Sequence, residues 1–332
     1  MKRNVFRLCF SLLCFLSVGS VILCVGYNLW LDRYLAQISR PNLSEPIANP
    51  AEDSLPEMPE TDENGLPILS DTKYVFQILL IGTDARAQGE YCRSDAMILL
   101  SVNRKTRKIV LCSLLRDLYV PIEGHGDNRL NTAYSFGGAE FLCSVLRTDF
   151  NIAVDRYVTV DFSDFAAAVD ILGGVDLSVT SEEAAVMNRI IREMNSSMSA
   201  SVKEIAVRDG NVHLDGMQTL AYVRNRSSRN GDFDRTFRQR TLLTAVFDRL
   251  KGASLPELLA LSERILPCVT TNISVNELKG YVAEIPEFLH YSVVLTRIPS
   301  AGTFSFETVR GMAVILADAE KNVLHLYEEI YA

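Results

Sequence analysis

Between Leu8 and Leu31 the chain reads LCFSLLCFLSVGSVILCVGYNLWL, 24 residues without one charge. At 1.5 Å per residue such a helix is about 36 Å long, enough to cross the hydrocarbon core of a bilayer. Lys2, Arg3 and Arg7 precede it, and bases on that side hold residues 1–7 in the cytoplasm. Tyr27 and Trp30 fall near the far interface, where amphipathic rings settle. The rival is a cleaved signal peptide, whose apolar core normally runs about 7–15 residues. Here the small residues Ser17, Gly19 and Ser20 are followed by more apolar sequence. The segment 8–31 therefore reads as a transmembrane anchor, single-pass, with the remainder of the chain extracellular.

Removing the three bases of the tail leaves 30 bases against 41 acids, a formal charge of about −11 outside the membrane. That balance argues against nucleic acid as a partner and against adsorption to anionic headgroups. An anionic substrate would need a local basic cluster working against the global field. Residues 32–73 carry six of the eleven prolines and many acids, but few large apolar side chains. Such a stretch cannot offset its ordering entropy and is expected to be an extended tether. Cys92, Cys112, Cys143 and Cys268 are scattered, and His125, His213, His290 and His325 are isolated. Neither a zinc site nor a histidine-based hydrolase is indicated.

The folded body is expected over 74–332 as one domain. VFQILLIG, starting at Val75, is a continuous apolar run of the kind that forms a strand buried on both faces. Ala96–Val102 and Lys108–Leu115, joined by the polar NRKTR, read as an antiparallel pair. A helix over Gly137–Phe150, a strand over Tyr157–Phe162, a helix over Ser163–Leu172 and a strand over Val175–Val179 follow. Further helices are expected at Glu182–Met194, Asp215–Arg224, Asp234–Lys251, Val275–Leu289 and Met312–Tyr331. Strands interleaved with helices predict an α/β (α+β mixed) domain: a central mixed β-sheet covered by helices on both faces.

Three segments could carry chemistry. In GTDAR…YCRSDAM, Asp84 follows one strand and Asp95 precedes the next. A short connection favours antiparallel neighbours, which puts both carboxylates at one sheet edge. Two carboxylates there suit Mg²⁺, which fills its remaining sphere with phosphate oxygens and water; the bland alternative is Asp as a turn residue. In SLLRDLYVPI, Arg116 and Asp117 follow a buried strand, and NRLNTAYS then brings Arg129 to a helix N-terminus, a favourable place for an anion. Finally YVRNRSSRNGDFDRTFRQR packs Arg224, Arg226, Arg229, Arg235, Arg238 and Arg240 into seventeen residues of an acidic domain. Asp234 is the expected cap of the second helix, so Arg235, Arg238 and Gln239 share its first turns. Guanidinium forks match phosphate oxygens. A solvated charged face is the alternative, although such faces mix signs more evenly.

In this order, GTDAR, RSDAM, LLRDLYVPI, NRLNTAYS, VDF…VDILGGVDL, LDGMQTLAYVRNR and DFDRTFRQR resemble the LytR-CpsA-Psr family over residues 74–251. Two departures stand out: Leu115 replaces a usual proline, and Arg129 a common lysine. The resemblance implies a membrane-bound phosphotransferase that moves a polyprenyl-pyrophosphate-linked glycan, such as teichoic acid or capsule, onto a peptidoglycan acceptor. It implies Mg²⁺ (or Mn²⁺) on Asp84 and Asp95. It also implies a pyrophosphate site lined by Arg93, Arg116, Arg129, Arg224, Arg226, Arg235, Arg238 and Gln239, and an apolar tunnel for the lipid. A noncatalytic phosphate-binding module and a polyprenyl-pyrophosphate pyrophosphatase remain alternatives. Beyond Ala253 no motif is legible, and a packing role alone is assigned there.

Overall fold

The computed structural model describes residues 38, 54–83, 92–198, 201–225, 232–251 and 269–332. The anchor segment, Asp84 and Arg226 lie outside them. Among the described residues no helix is long and apolar enough to cross a membrane.

Among the described residues, six strands form the central sheet. β1 (Val75–Thr83), β2 (Ser94–Asn103) and β3 (Lys108–Leu114) are its middle, flanked by β6 (Tyr157–Asp161), β9 (Val269–Thr271) and β10 (Ser292–Ile298). The order is β10-β3-β2-β1-β6-β9. β1 and β6 run parallel, as do β3 and β10, while the other neighbouring pairs are antiparallel, so the sheet is mixed. Alternation sets the faces. Leu79, Leu99, Cys112 and Leu114 pack under α1 (Leu130–Phe150) and α7 (Ala319–Tyr331), through Leu142, Leu146, Leu326 and Ile330. Ile78, Ile98, Ile109 and Leu111 face the other way, toward Leu243 and Phe247 of α5 (Asp232–Lys251) and Tyr281 and Phe288 of α6 (Val275–Phe288). Both faces are thus covered, as the apolar runs predict.

A second apolar cluster joins α2 (Phe162–Ile171), α3 (Ser181–Met198) and α4 (Gly216–Arg224) to the antiparallel pair β7 (Val175–Val179) and β8 (Gly210–Leu214). Asp215 caps α4 in a reciprocal box with Gln218. Gly216 is needed at that start: a Cβ there would lie 1.9 Å from the Ala166 carbonyl oxygen.

Four local expectations change. The segment Met312–Tyr331 is a strand followed by a helix. β12 (Met312–Ala317) pairs with β11 (Phe304–Val309), and Asp318 then caps α7. A six-residue apolar run has no decisive period, and strand pairing with β11 wins. α5 begins at Asp232, which puts Asp234 inside its first turn instead of at the cap. α1 begins at Leu130 and breaks at Gly137 and Gly138, with Gly138 at φ 68°, so the expected helix is its second rod. Against the expected boundary at Tyr74, the last part of the tether belongs to the body: Leu69 is fully buried and its backbone bonds Asn151 and Ala153. Asp71 there is ion-paired with Arg156, which also bonds Glu277 at 2.6 Å. The remaining elements, β4 (Tyr119–Ile122) and β5 (Gly126–Arg129), form a hairpin after β3.

Candidate active site

The site is built on the strand ends. Thr83, the last residue of β1, is paired with Ser94, the first of β2. Ile98 of β2 is paired with Ser113 of β3. Three residues back on one strand is Asp95, and three forward on the other is Arg116, so antiparallel register brings them face to face. Arg116 Nη1 donates to Asp95 Oδ1 at 2.8 Å. The turn that carries Arg116 is pinned by Leu115 N–H donating to the Ile298 carbonyl and Leu118 N–H to that of Leu115.

Two more elements converge there. From the first turn of α5, Arg235 donates through Nη2 to the Asp95 carbonyl at 2.9 Å, with Nη1 3.5 Å from Asp95 Oδ1. Arg235 is 2% exposed, so this is an inward-facing charge. From the end of β5, Arg129 Nε lies 3.3 Å from Asp117 Oδ1 and donates, with Nη2, to the carbonyl of Ala313 on β12. Asp117 is also 3.7 Å from Arg116 Nε. Three guanidinium groups from three elements therefore sit around two carboxylates. Arg116, Asp95, Arg129 and Asp117 are each between 18% and 24% exposed, enough to meet a ligand at the surface.

The other expected residues divide. Gln239 lines an apolar cavity of about 160 Å³, open at its mouth, between the sheet and α5. Leu80, Ile98, Val158, Phe165, Leu242 and Leu243 form its walls, and Gly82 and Ala96 line it at the strand ends. Ala96 directly follows Asp95, so the cavity and the arginine cluster share one end of the sheet. Arg238 points elsewhere: Nε donates to Glu183 of α3 at 2.8 Å and Nη1 to the Asn225 carbonyl at 2.9 Å. Three residues along a helix leaves about 60° between side chains, and that turn carries Arg238 from β2 toward α3. Arg93 is exposed just ahead of β2, and Arg224 ends α4. Sequence reasoning placed Arg116 in the site but missed the reach to Ala313, on a hairpin with no motif.

A metal can be judged by donor type. Asp95 offers hard carboxylate oxygen at the strand end where Asp84 follows β1, which is chemistry that suits Mg²⁺. Among the described residues no group of three or more acidic, histidine or cysteine side chains is gathered for a metal. Any such ion would take most of its ligands from substrate and water.

The LytR_cpsA_psr family model matches residues 47–325. The chain belongs to the LytR-CpsA-Psr family. It is 32% identical over 211 residues to the polyisoprenyl-teichoic acid–peptidoglycan teichoic acid transferase TagV of Bacillus subtilis (strain 168), which is 62% of this chain and 51% of that one. It is 33% identical over 183 residues to the corresponding transferase TagT of the same organism, covering 54% of each. The chain thus spans about half the length of these curated relatives. A structure of TagT with bound octaprenyl pyrophosphate lipid superposes with a TM-score of 0.57 at 26% identity, over 78% of this chain and 89% of that one. The mixed sheet and its two helical layers are therefore the family fold.

Proposed function

We propose that this LytR-CpsA-Psr protein is a membrane-anchored phosphotransferase that moves a polyprenyl-pyrophosphate-linked glycopolymer onto peptidoglycan and releases polyprenyl phosphate. The observation that carries this reading is adjacency. An apolar cavity opens at the same strand ends as Arg116, Arg129, Arg235 and Asp95. A lipid pyrophosphate needs that pair: dry walls for the prenyl chain and forked donors for the phosphates. The names of TagV and TagT and the lipid bound to TagT support the same substrate class.

In the reaction an acceptor hydroxyl attacks the sugar-side phosphorus, a new P–O bond forms, and the bond to the polyprenyl phosphate breaks. Such transfers depend on positioning and on neutralising charge, not on a covalent protein nucleophile. Arg116 and Arg235 would hold non-bridging oxygens. Asp95 fixes where both forks point, because it accepts from each. Asp117 orients Arg129 through an ion pair, with Arg129 Nε 3.3 Å from its Oδ1. Asp84 and Asp95 would hold Mg²⁺ (or Mn²⁺), which when bound neutralises charge on the pyrophosphate. The apolar segment 8–31 would keep the domain beside the bilayer that contains its donor, raising the local donor concentration.

The test uses the full chain in detergent with a short polyprenyl-pyrophosphate glycan and a peptidoglycan oligomer, with and without Mg²⁺. A glycan–phosphate–peptidoglycan adduct, lost in Arg235→Met, supports the transferase. Lipid phosphate released without an adduct means hydrolysis, and tight binding without turnover means a binding module.

A further inference from the structure

A second pair of arginines lies in the layer between the sheet and α5. Register sets Val158, Leu80, Ile98, Ser113 and Arg297 in one row across β6, β1, β2, β3 and β10, and opposed residues share a face. The first three floor the apolar cavity. The row then changes character and ends in a serine and an arginine. Against this part of the sheet α5 buries Arg240, 6% exposed, whose Nε and Nη1 have no hydrogen-bond partner among the described residues. Ser113 Oγ is buried in the same condition.

Among the described residues, the surroundings of Arg240 do not supply an anion. Burial holds the Arg240 guanidinium below its ordinary pKa. Of its charged neighbours, Arg297 pushes it further down, and the Cys112 side chain pulls it up. That thiol is itself pushed up to about 12 by burial and is therefore neutral at physiological pH. The Arg297 guanidinium carbon lies over the Phe233 ring, 4.3 Å from its centroid, with the Asp234 carboxylate as its charged neighbour. Among the described residues, Asp234 is the charged neighbour of Arg297 and not of Arg240. A buried cation without a counter-charge is a strong destabiliser, and its planar fork fits a bidentate oxyanion.

We infer that Arg240, Arg297 and Ser113 form a second oxyanion subsite that takes a further anionic group of a substrate. Two strand spacings separate Ile98 from Arg297, about 10 Å, so the subsite lies beside the lipid cavity on the flank away from β1. The ligand chemistry is a phosphate or carboxylate: a phosphate of the donor polymer or a carboxylate of the acceptor. That origin rests on the transferase reading; the anion site itself does not.

The experiment is thermal denaturation of the full chain in detergent, titrated with inorganic phosphate and separately with acetate, with no lipid donor present. Wild type, Arg240→Met and Arg297→Gln are compared, and Arg297→Gln, at a partly exposed position, carries the test if Arg240→Met fails to fold. Phosphate should raise Tm in wild type by mass action, and both variants should lose about half or more of that rise. A rise with phosphate alone assigns the subsite to the donor; a rise with both anions assigns it to the acceptor. No rise in wild type, or an equal rise in both variants, overturns the subsite. An Arg240-dependent rise without any adduct formation would leave the subsite standing and remove the transferase.

Discussion

Arg238 separates a substrate residue from a structural one, and the two roles predict different measurements. Its guanidinium is 5% exposed, donating to the Glu183 carboxylate at 2.8 Å and to the Asn225 carbonyl at 2.9 Å. These contacts tie α5 to α3 and to the chain just after α4. Each charge-assisted hydrogen bond contributes about 1.5–3 kcal/mol. Removing one partner of a buried pair costs about 3–5 kcal/mol, because the other is left uncompensated. Glu183 keeps 22% exposure and can regain water, so the low end applies and Arg238→Ala should cost roughly 3 kcal/mol. For a domain of this size that is a fall in Tm of roughly 6–12 °C. A double-mutant cycle with Glu183→Gln should show a coupling of about 1.5 kcal/mol or more. The assay is thermal denaturation beside adduct formation at a temperature where both proteins are folded. If Arg238→Ala keeps its Tm within about 2 °C and still loses turnover, the latch is wrong and Arg238 acts on substrate.

Three further outcomes are expected. Leu69→Ala should cost about 3–4 kcal/mol in urea denaturation, because Leu69 is fully buried in the main core; a cost near zero would return this segment to the tether. The Asp71 carboxyl is raised from 3.8 to about 6, by burial first, with Arg156 opposing. A folded pKa above the unfolded one means its stabilising contribution is full below about pH 4 and lost as pH rises through 6. The swing is about 3 kcal/mol, and the pH–stability curve of Asp71→Asn should be flatter in that window. Leu243→Trp, which fills part of the cavity, should raise KM for a long-chain donor by about tenfold, or roughly 1.4 kcal/mol, and affect a short-chain donor less; equal effects on both would detach the cavity from the lipid.

The central sheet was legible because its strands announce themselves as unbroken apolar runs. VFQILLIG sits in the middle of the sheet, and such a run has nowhere else to go. The antiparallel pairing of the two strands joined by the short NRKTR turn was legible too; the bond from Arg116 to Asp95 follows from the register of that pair but was not drawn from the sequence. Side-chain direction on α5 was not. Sequence puts Arg235, Arg238 and Gln239 near one face, but the three diverge to β2, α3 and the cavity, because rotations of 60–100° decide the neighbour in a tightly packed layer. The contribution of Ala313 could not be read at all. It offers a backbone carbonyl, which every residue carries, and its position depends on pairing between β11 and β12 and the bridge from Leu118 to Ile315.

The arrangement around Asp95 and Asp117 also explains why arginine, not lysine, recurs there. Three cations around two carboxylates leave the described cluster one positive charge in excess, inside a chain whose formal charge is −8. Left unbraced, like charges would swing apart into solvent and surrender their geometry. Each carboxylate instead engages two arginines, so both forks are held before any ligand arrives and little ordering entropy is left to lose on binding. A lysine can supply the charge but only as a point on a flexible stem. Arg116 could not then bond Asp95 through Nη1 while its Nε faces Asp117. Preorganisation, more than the number of positive charges, is what the two aspartates provide.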